Sequence, residues 1–289
     1  MKNTKEIKAL FHLLDDPDKE IFDTVSNKIV HYGKEIIPNL ENFWEETSDN
    51  IIQERIENII QKVNFNDIFE EIKNWYESIN PSLYDGAMML SKYKYPSLDV
   101  ESCNKIIKSL YQSCWLELHN YLTPFEQINV INSIFYSMYK FVGYDLEANK
   151  PSHFYVSEVL ETRQGNSYSL GTIYQLLCEK LDVPVYAIQL PRQHLLAYFD
   201  NQFDYFVSDK KQKQKILFYV DPNSGTIFTQ NDVDVYLKKY NFENQETIYM
   251  PLANRDIIIN TLDAMVMMYD ELGDDEKSEE LIKIIRLRK

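Results

Sequence analysis

Residues that break or bend helices are scarce in this chain of 289 residues, which has 7 glycines and 10 prolines. That shortage excludes a loop-rich or many-turned β architecture and predicts helices with short connections. Basic side chains are also few, 30 against 45 acidic ones for a net charge of -15. A nucleic-acid backbone or an anionic membrane would be repelled on average, so neither is an expected partner. Cysteine is limited to Cys103, Cys114 and Cys178. The number is odd and no pair has CxxC or metal-ligand spacing, which predicts buried thiols in a reducing compartment and no structural metal. Residues 1–20 hold no signal-peptide core, and no apolar run approaches the ~18 residues a membrane helix needs. A cytoplasmic location is expected.

What is present divides into three stretches: 1–80, 81–250 and 251–289. In the first, Ile7, Leu10, Phe11 and Leu14 share a helix face, Asp15-Asp16-Pro17-Asp18 turns the chain, and Ile21, Val25 and Ile29 resume the spacing. Gly33 suits the C-cap of that second helix. The phrases Leu13–Glu20 and Gly33–Pro38 resemble a HEAT-type helical repeat, and Asn50 to Trp75 reads as a further, degenerate pair. Such helices serve equally as a cap on the next domain or as a partner-binding surface.

Helical spacing continues through Cys103, Ile107, Leu110 and Cys114, then Ile128, Ile131 and Phe135. The pattern changes after Gly165. Leu170, Ile173, Tyr174, Leu177 and Leu181 form one more helix stripe that Asp182-Val183-Pro184 ends, and β-favouring runs follow at 185–190, 194–199 and 216–220. The third run closes on Asp221-Pro222-Asn223-Ser224-Gly225, a composition that demands a turn. Lysines 210, 211, 213 and 215 form a basic run that reads as a solvated hairpin tip. From 257 onward two apolar stripes flank Leu272-Gly273-Asp274-Asp275, predicting a TPR-like helical hairpin that packs back on the sheet domain, with a partner groove as the alternative. The fold class expected is α+β and helix-rich.

A helix followed by strands is the frame in which thiol enzymes set a cysteine at a helix N-terminus, with a histidine and an aspartate from adjacent strands. Ser167 stands 17 residues before Pro184, where the thiol would be, and His194 and Asp221 follow at successive spacings of 27. The order matches nucleophile, base and orienting acid. A serine hydroxyl is un-ionised at neutral pH, so Ser167 would need His194 as its base. The alternative is that Ser167 or Ser169 caps the helix, and that Asp221 and His194 form a turn and a satisfied polar pair. His153 is a further proton acceptor, read as a surface loop residue. Together with His194 and Asp221 it lacks metal-ligand spacing, and no cofactor motif is present.

Several phrases carry a resemblance: Tyr93–Leu98, Val159–Leu170, Leu181–Pro184, Pro191-Arg192-Gln193-His194, and Asp221–Gly225. With them, residues 84–289 resemble the SirB-type, transglutaminase-like family of bacterial cytoplasmic proteins. In that family the helix start commonly reads Arg-x-Gly-x-Pro-x-Ser-Leu. This chain keeps Arg163, Gly165, Ser169 and Leu170, with Ser167 in place of proline. Pro-Gly-His before the second strand is replaced by Pro191, Arg192, Gln193 and His194. The resemblance implies a papain-type domain without the nucleophilic cysteine. Two functions follow as expectations: a non-catalytic protein that binds a protein or peptide partner, or a serine-dependent hydrolase or acyl transferase using Ser167, His194 and Asp221.

Overall fold

Helix α4, Asn50–Glu77, runs for 28 residues where the sequence suggested a degenerate pair. The reason lies in its composition: no glycine or proline occurs between 50 and 77, so nothing interrupts the hydrogen-bond ladder. The computed structural model describes residues 4–145, 150–200, 215–242 and 246–288. The chain forms two compact units, Met1–Asn74 and Trp75–Lys289. The break therefore falls at 74, against the expected 80, and the C-terminal hairpin stays within the second unit.

The first unit consists of α1 (Thr4–Phe11), α2 (Lys19–Val30), α3 (Ile37–Glu46) and most of α4. Leu14, Val25, Ile29, Leu40, Ile56 and Val63 close its core. Each such side chain, fully removed from water, contributes roughly 1.5–3 kcal/mol. Asp18 caps α2 by accepting from the Glu20 amide at 2.9 Å. Arg55 of α4 donates to the carbonyls of Leu14 and Asp16, pinning the α1–α2 turn. The α2 C-cap is His31, not Gly33. Gly33 lies two residues further on with φ +69°, a left-handed conformation that starts the short 3-10 turn to Ile36.

The second unit begins with α5 (Leu83–Lys94), α6 (Val100–Glu117) and α7 (Pro124–Asn132), which continues as a π-helical turn over Ser133–Met138. Two-residue strands β1 (Val142–Gly143) and β2 (Gln164–Gly165) pair in parallel on either side of α8 (Val156–Thr162). Next come α9 (Ser167–Lys180), β3 (Val185–Leu190), β4 (Gln193–Phe199), β5 (Ile216–Val220) and β6 (Ile227–Phe228). The four strands form an antiparallel sheet in sequential order. The lysines at 210, 211 and 213 lie outside the described residues.

Strand alternation gives the sheet two faces. Leu195, Ala197, Phe199 and Tyr219 join a core with Val233 and Leu237 of α10 (Gln230–Lys239). The other face carries His194, Leu196 and Tyr198 and meets α9, whose Gln175 side chain accepts from the Ala187 amide of β3 at 2.8 Å. Helix α10 was not anticipated, although Thr229 and Asp232 form its capping box and Val233, Tyr236 and Leu237 its apolar stripe. The hairpin is α11 (Asn254–Leu272) and α12 (Asp275–Ile285), joined at Gly273 with φ +72°. It packs on helical elements of the second unit: the hydroxyls of Tyr155 and Tyr269 meet at 2.8 Å, and Tyr93 donates to Glu280 at 2.8 Å.

Candidate functional site

The start of α9 is built around Asn166. Its Oδ1 accepts from the amides of Tyr168 at 3.0 Å and Ser169 at 3.1 Å, while Ser169 Oγ accepts from the Asn166 amide at 3.1 Å. This is a capping box with asparagine at its head. Ser169 Oγ also donates to the His153 carbonyl at 2.6 Å. Gly165 precedes the cap because a Cβ there would lie 2.8 Å from Ser169 Oγ and 2.9 Å from Val159. Arg163 adopts φ +65° at the end of α8, with its guanidinium over the rings of Tyr139 and Phe141. It hands the chain to β2 through its carbonyl, which accepts from the Val142 amide at 2.8 Å.

Ser167 is therefore the first helical residue rather than the cap. It is buried, at 5% exposure. Among the described residues its hydroxyl has no hydrogen-bond partner, His194 included. Two of the amides at this helix end, those of Tyr168 and Ser169, are already committed to Asn166. The sequence carried a signal for this arrangement, since Asn166 and Ser169 have the spacing of N-cap and N3.

His194 is fully buried, and neither ring nitrogen has a partner among the described residues. Burial alone pushes its pKa down to about 3, so the imidazole is neutral at physiological pH. The ring it faces is Tyr168, with centroids 4.5 Å apart. Sequence spacing drew attention to Ser167, whereas helix geometry turns the next residue toward the sheet. Across the strand pair His194 opposes Gln189, whose side-chain amide is engaged by the Leu190 carbonyl and whose Oε1 accepts from Asn260. The side chain of this cross-strand partner is thus already occupied. Tyr168 is itself pushed up to about 12 by burial and stays protonated.

Asp221 is held elsewhere by register. Leu196 pairs with Val220, which places Val220 on the His194 face and the next residue on the opposite one. Its carboxylate accepts from the Asn223 amide at 3.0 Å and the Ser224 hydroxyl at 2.7 Å, fixing the turn. The turn is anchored from α7 and its π-helical continuation: Tyr136 donates to the Pro222 carbonyl at 2.8 Å and Asn132 to the Gly225 carbonyl at 2.7 Å. Pro222 is the residue that returns to the His194 side, where a Cβ on Gly171 would lie 3.5 Å from its ring and 4.0 Å from His194 Cβ. The predicted trio is thus not one hydrogen-bonded array.

His153, expected at the surface, is 4% exposed and stacks on Tyr144 with centroids 4.7 Å apart. Burial, then the nearby Lys150 charge, lowers its pKa. Among the described residues no group of three or more histidine, cysteine or acidic side chains is placed to hold a metal ion. No helix among them is long and apolar enough to cross a membrane.

A buried central helix packed across an antiparallel sheet, with the histidine on the second long strand, defines a transglutaminase-like domain. Residues 101–263 match the family model of the transglutaminase-like superfamily, and the chain belongs to that family. Within it the chain is of SirB type. It is similar to protein SirB1 of Salmonella typhimurium, 23% identical over 166 residues that make up 56% of each chain. UPF0162 protein PM0557 of Pasteurella multocida is 29% identical over 120 residues, 40% of this chain and 44% of the relative. UPF0162 protein BU173 of Buchnera aphidicola is 25% identical over 115 residues, 40% of this chain and 38% of the relative. The chain spans about half the length of the curated relatives it matches. No solved structure matches.

Proposed function

We propose that this chain is a transglutaminase-like protein without turnover, acting by binding a protein or peptide partner. The observation that carries this reading is the state of His194, sealed from solvent with both nitrogens unpartnered. A general base must reach the proton it removes, and this imidazole reaches neither Ser167 nor Asp221. Ser167 has no other activator, and the positive end of a helix shifts a hydroxyl far too little to ionise it. The binding half of the proposal draws support from the α6–α7 turn. There Trp115 is 60% exposed, Leu116 66%, Tyr121 81% and Phe125 53%, large apolar groups concentrated between residues 115 and 125. Concentrated aromatic exposure is characteristic of partner surfaces.

The test has two arms. Hydrolysis of a generic activated ester by the full chain should equal the buffer rate and be unchanged in Ser167→Ala and His194→Ala. A rate lost in both variants would establish the serine-dependent hydrolase or acyl transferase instead. In the second arm, a photo-crosslinking residue at Trp115 should give a discrete adduct in cells that Tyr121→Ser weakens. Uniform, nonspecific labelling would remove this surface from the proposal.

A further inference from the structure

Away from the α9–His194 contact, the second unit holds an open cleft of about 660 Å³. Tyr84 of α5, Asn104, Ile107, Lys108 and Tyr111 of α6, and Lys180 at the end of α9 line it. A volume of this size is that of a small-molecule site. The four α6 residues recur at helical spacing, so they form one wall. That wall alternates an amide, an aliphatic group, an ammonium and a phenol.

The charge of the cleft runs against that of the molecule. The chain has a net charge of -15, yet Lys108 and Lys180 converge here from different helices. Among the described residues neither is in an ion pair. Lys180 would complement the negative end of α9, but that role does not require Lys108 opposite it. Tyr84 gives the cleft its ring, while its hydroxyl is buried without a partner. Burial first, with Cys103 and the carboxylates of Asp85 and Glu101 adding, holds it protonated and therefore a donor. Those two carboxylates also limit the local positive field, which disfavours a polyanion.

We propose that this cleft binds a small aromatic oxyanion, a ring bearing one carboxylate or phosphate group. The ring packs on Tyr84, Ile107 and Tyr111, and the anionic group lies between Lys108 and Lys180 with the Asn104 amide beside it. Charge-assisted hydrogen bonds from two ammonium groups supply the selectivity, and the apolar wall supplies the area.

The experiment titrates the full chain with phenyl phosphate, benzoate and phenol at fixed ionic strength, following backbone amide shifts. Saturable shifts confined to the start of α5, α6 and the end of α9 are expected for at least one anion, with phenol at least roughly tenfold weaker. Which anion binds better distinguishes the phosphate from the carboxylate form of the same chemistry. Lys108→Ala and Lys180→Ala should each weaken binding by roughly fivefold or more. Both lysines are exposed, and circular dichroism of each variant verifies the fold. Equal binding of phenol and the anions, unchanged affinity in the double variant, or shifts mapping elsewhere would overturn the assignment.

Discussion

Two buried polar groups meet α9 within its first turns, and they are treated in opposite ways. Asn166, 1% exposed, is bound through its side chain to two amides and is part of a reciprocal box with Ser169. His194, 0% exposed, has no hydrogen bond on either nitrogen. Leaving a buried donor or acceptor unmet costs about 1–3 kcal/mol, so the first cluster stabilises the fold and the second opposes it. The contrast separates a polar group tied into the helix start from one left without a hydrogen bond on the neighbouring strand.

The contrast is sharpest in acid. The unfolded chain takes up a proton on this histidine near its ordinary pKa of 6.5, while the folded state resists until about 3. More protons are bound by the unfolded state between those values, so stability is full above 6.5 and falls with pH at about 1.4 kcal/mol per unit. Urea denaturation of His194→Leu should show this slope removed, and at pH 7 the variant should equal or exceed the parent. An unchanged slope would mean that the imidazole is protonated or paired in solution. Next in size, Asn166→Ala should lose about 2 kcal/mol, at the upper end for a helix cap because the amides it leaves are buried. A loss below about 0.5 kcal/mol would erase the distinction between the two groups.

Asp221 provides a finer discrimination. Its carboxylate accepts on both oxygens in the turn; an asparagine oxygen can keep the Asn223 amide, and its NH2 can donate to Ser224 Oγ with that bond reversed. Asp221→Asn should thus stay within about 0.5 kcal/mol of the parent, and Asp221→Ala should lose about 1 kcal/mol. Gly171→Ala should gain roughly 0.5–1 kcal/mol from helix propensity, because the added carbon meets Pro222 at an ordinary 3.5 Å. Thermal melts that show a loss would indicate tighter packing of Pro222 on α9. The smallest effect belongs to Ser167. A cysteine placed there should react with iodoacetamide no faster than an ordinary buried thiol, because the helix-end amides are already engaged.

The extended runs were legible because each lies between strong punctuation: Pro184, Pro191 and the Asp221–Gly225 turn bracket segments of β-favouring residues. The α11–α12 hairpin was legible for the same reason, through Gly273. Interior helix ends were not. Only the absence of glycine and proline between 50 and 77 marks α4 as a single helix, and the Thr229–Asp232 box went unread beside the more conspicuous turn. The arrangement of the candidate site residues depends on a different quantity. Spacing along the chain placed Ser167, His194 and Asp221 in order, but strand register decides the face, and pairing of Leu196 with Val220 puts Val220 on the face of the histidine. Likewise, only the helix phase shows that Tyr168 is the residue against the imidazole.

Arg255, in the first turn of α11, donates to the carbonyls of Tyr76 and Ser78, and Asn254 donates to the Pro81 carbonyl at 3.0 Å. These bonds close a loop of more than 170 residues. Contacts of such long range form late, since the entropy of closure precedes any return. On the ribosome, then, α5 and its neighbours emerge long before the helix that fastens their leading edge. For that interval their apolar faces depend on local packing alone, which makes the second unit a candidate chaperone client during synthesis.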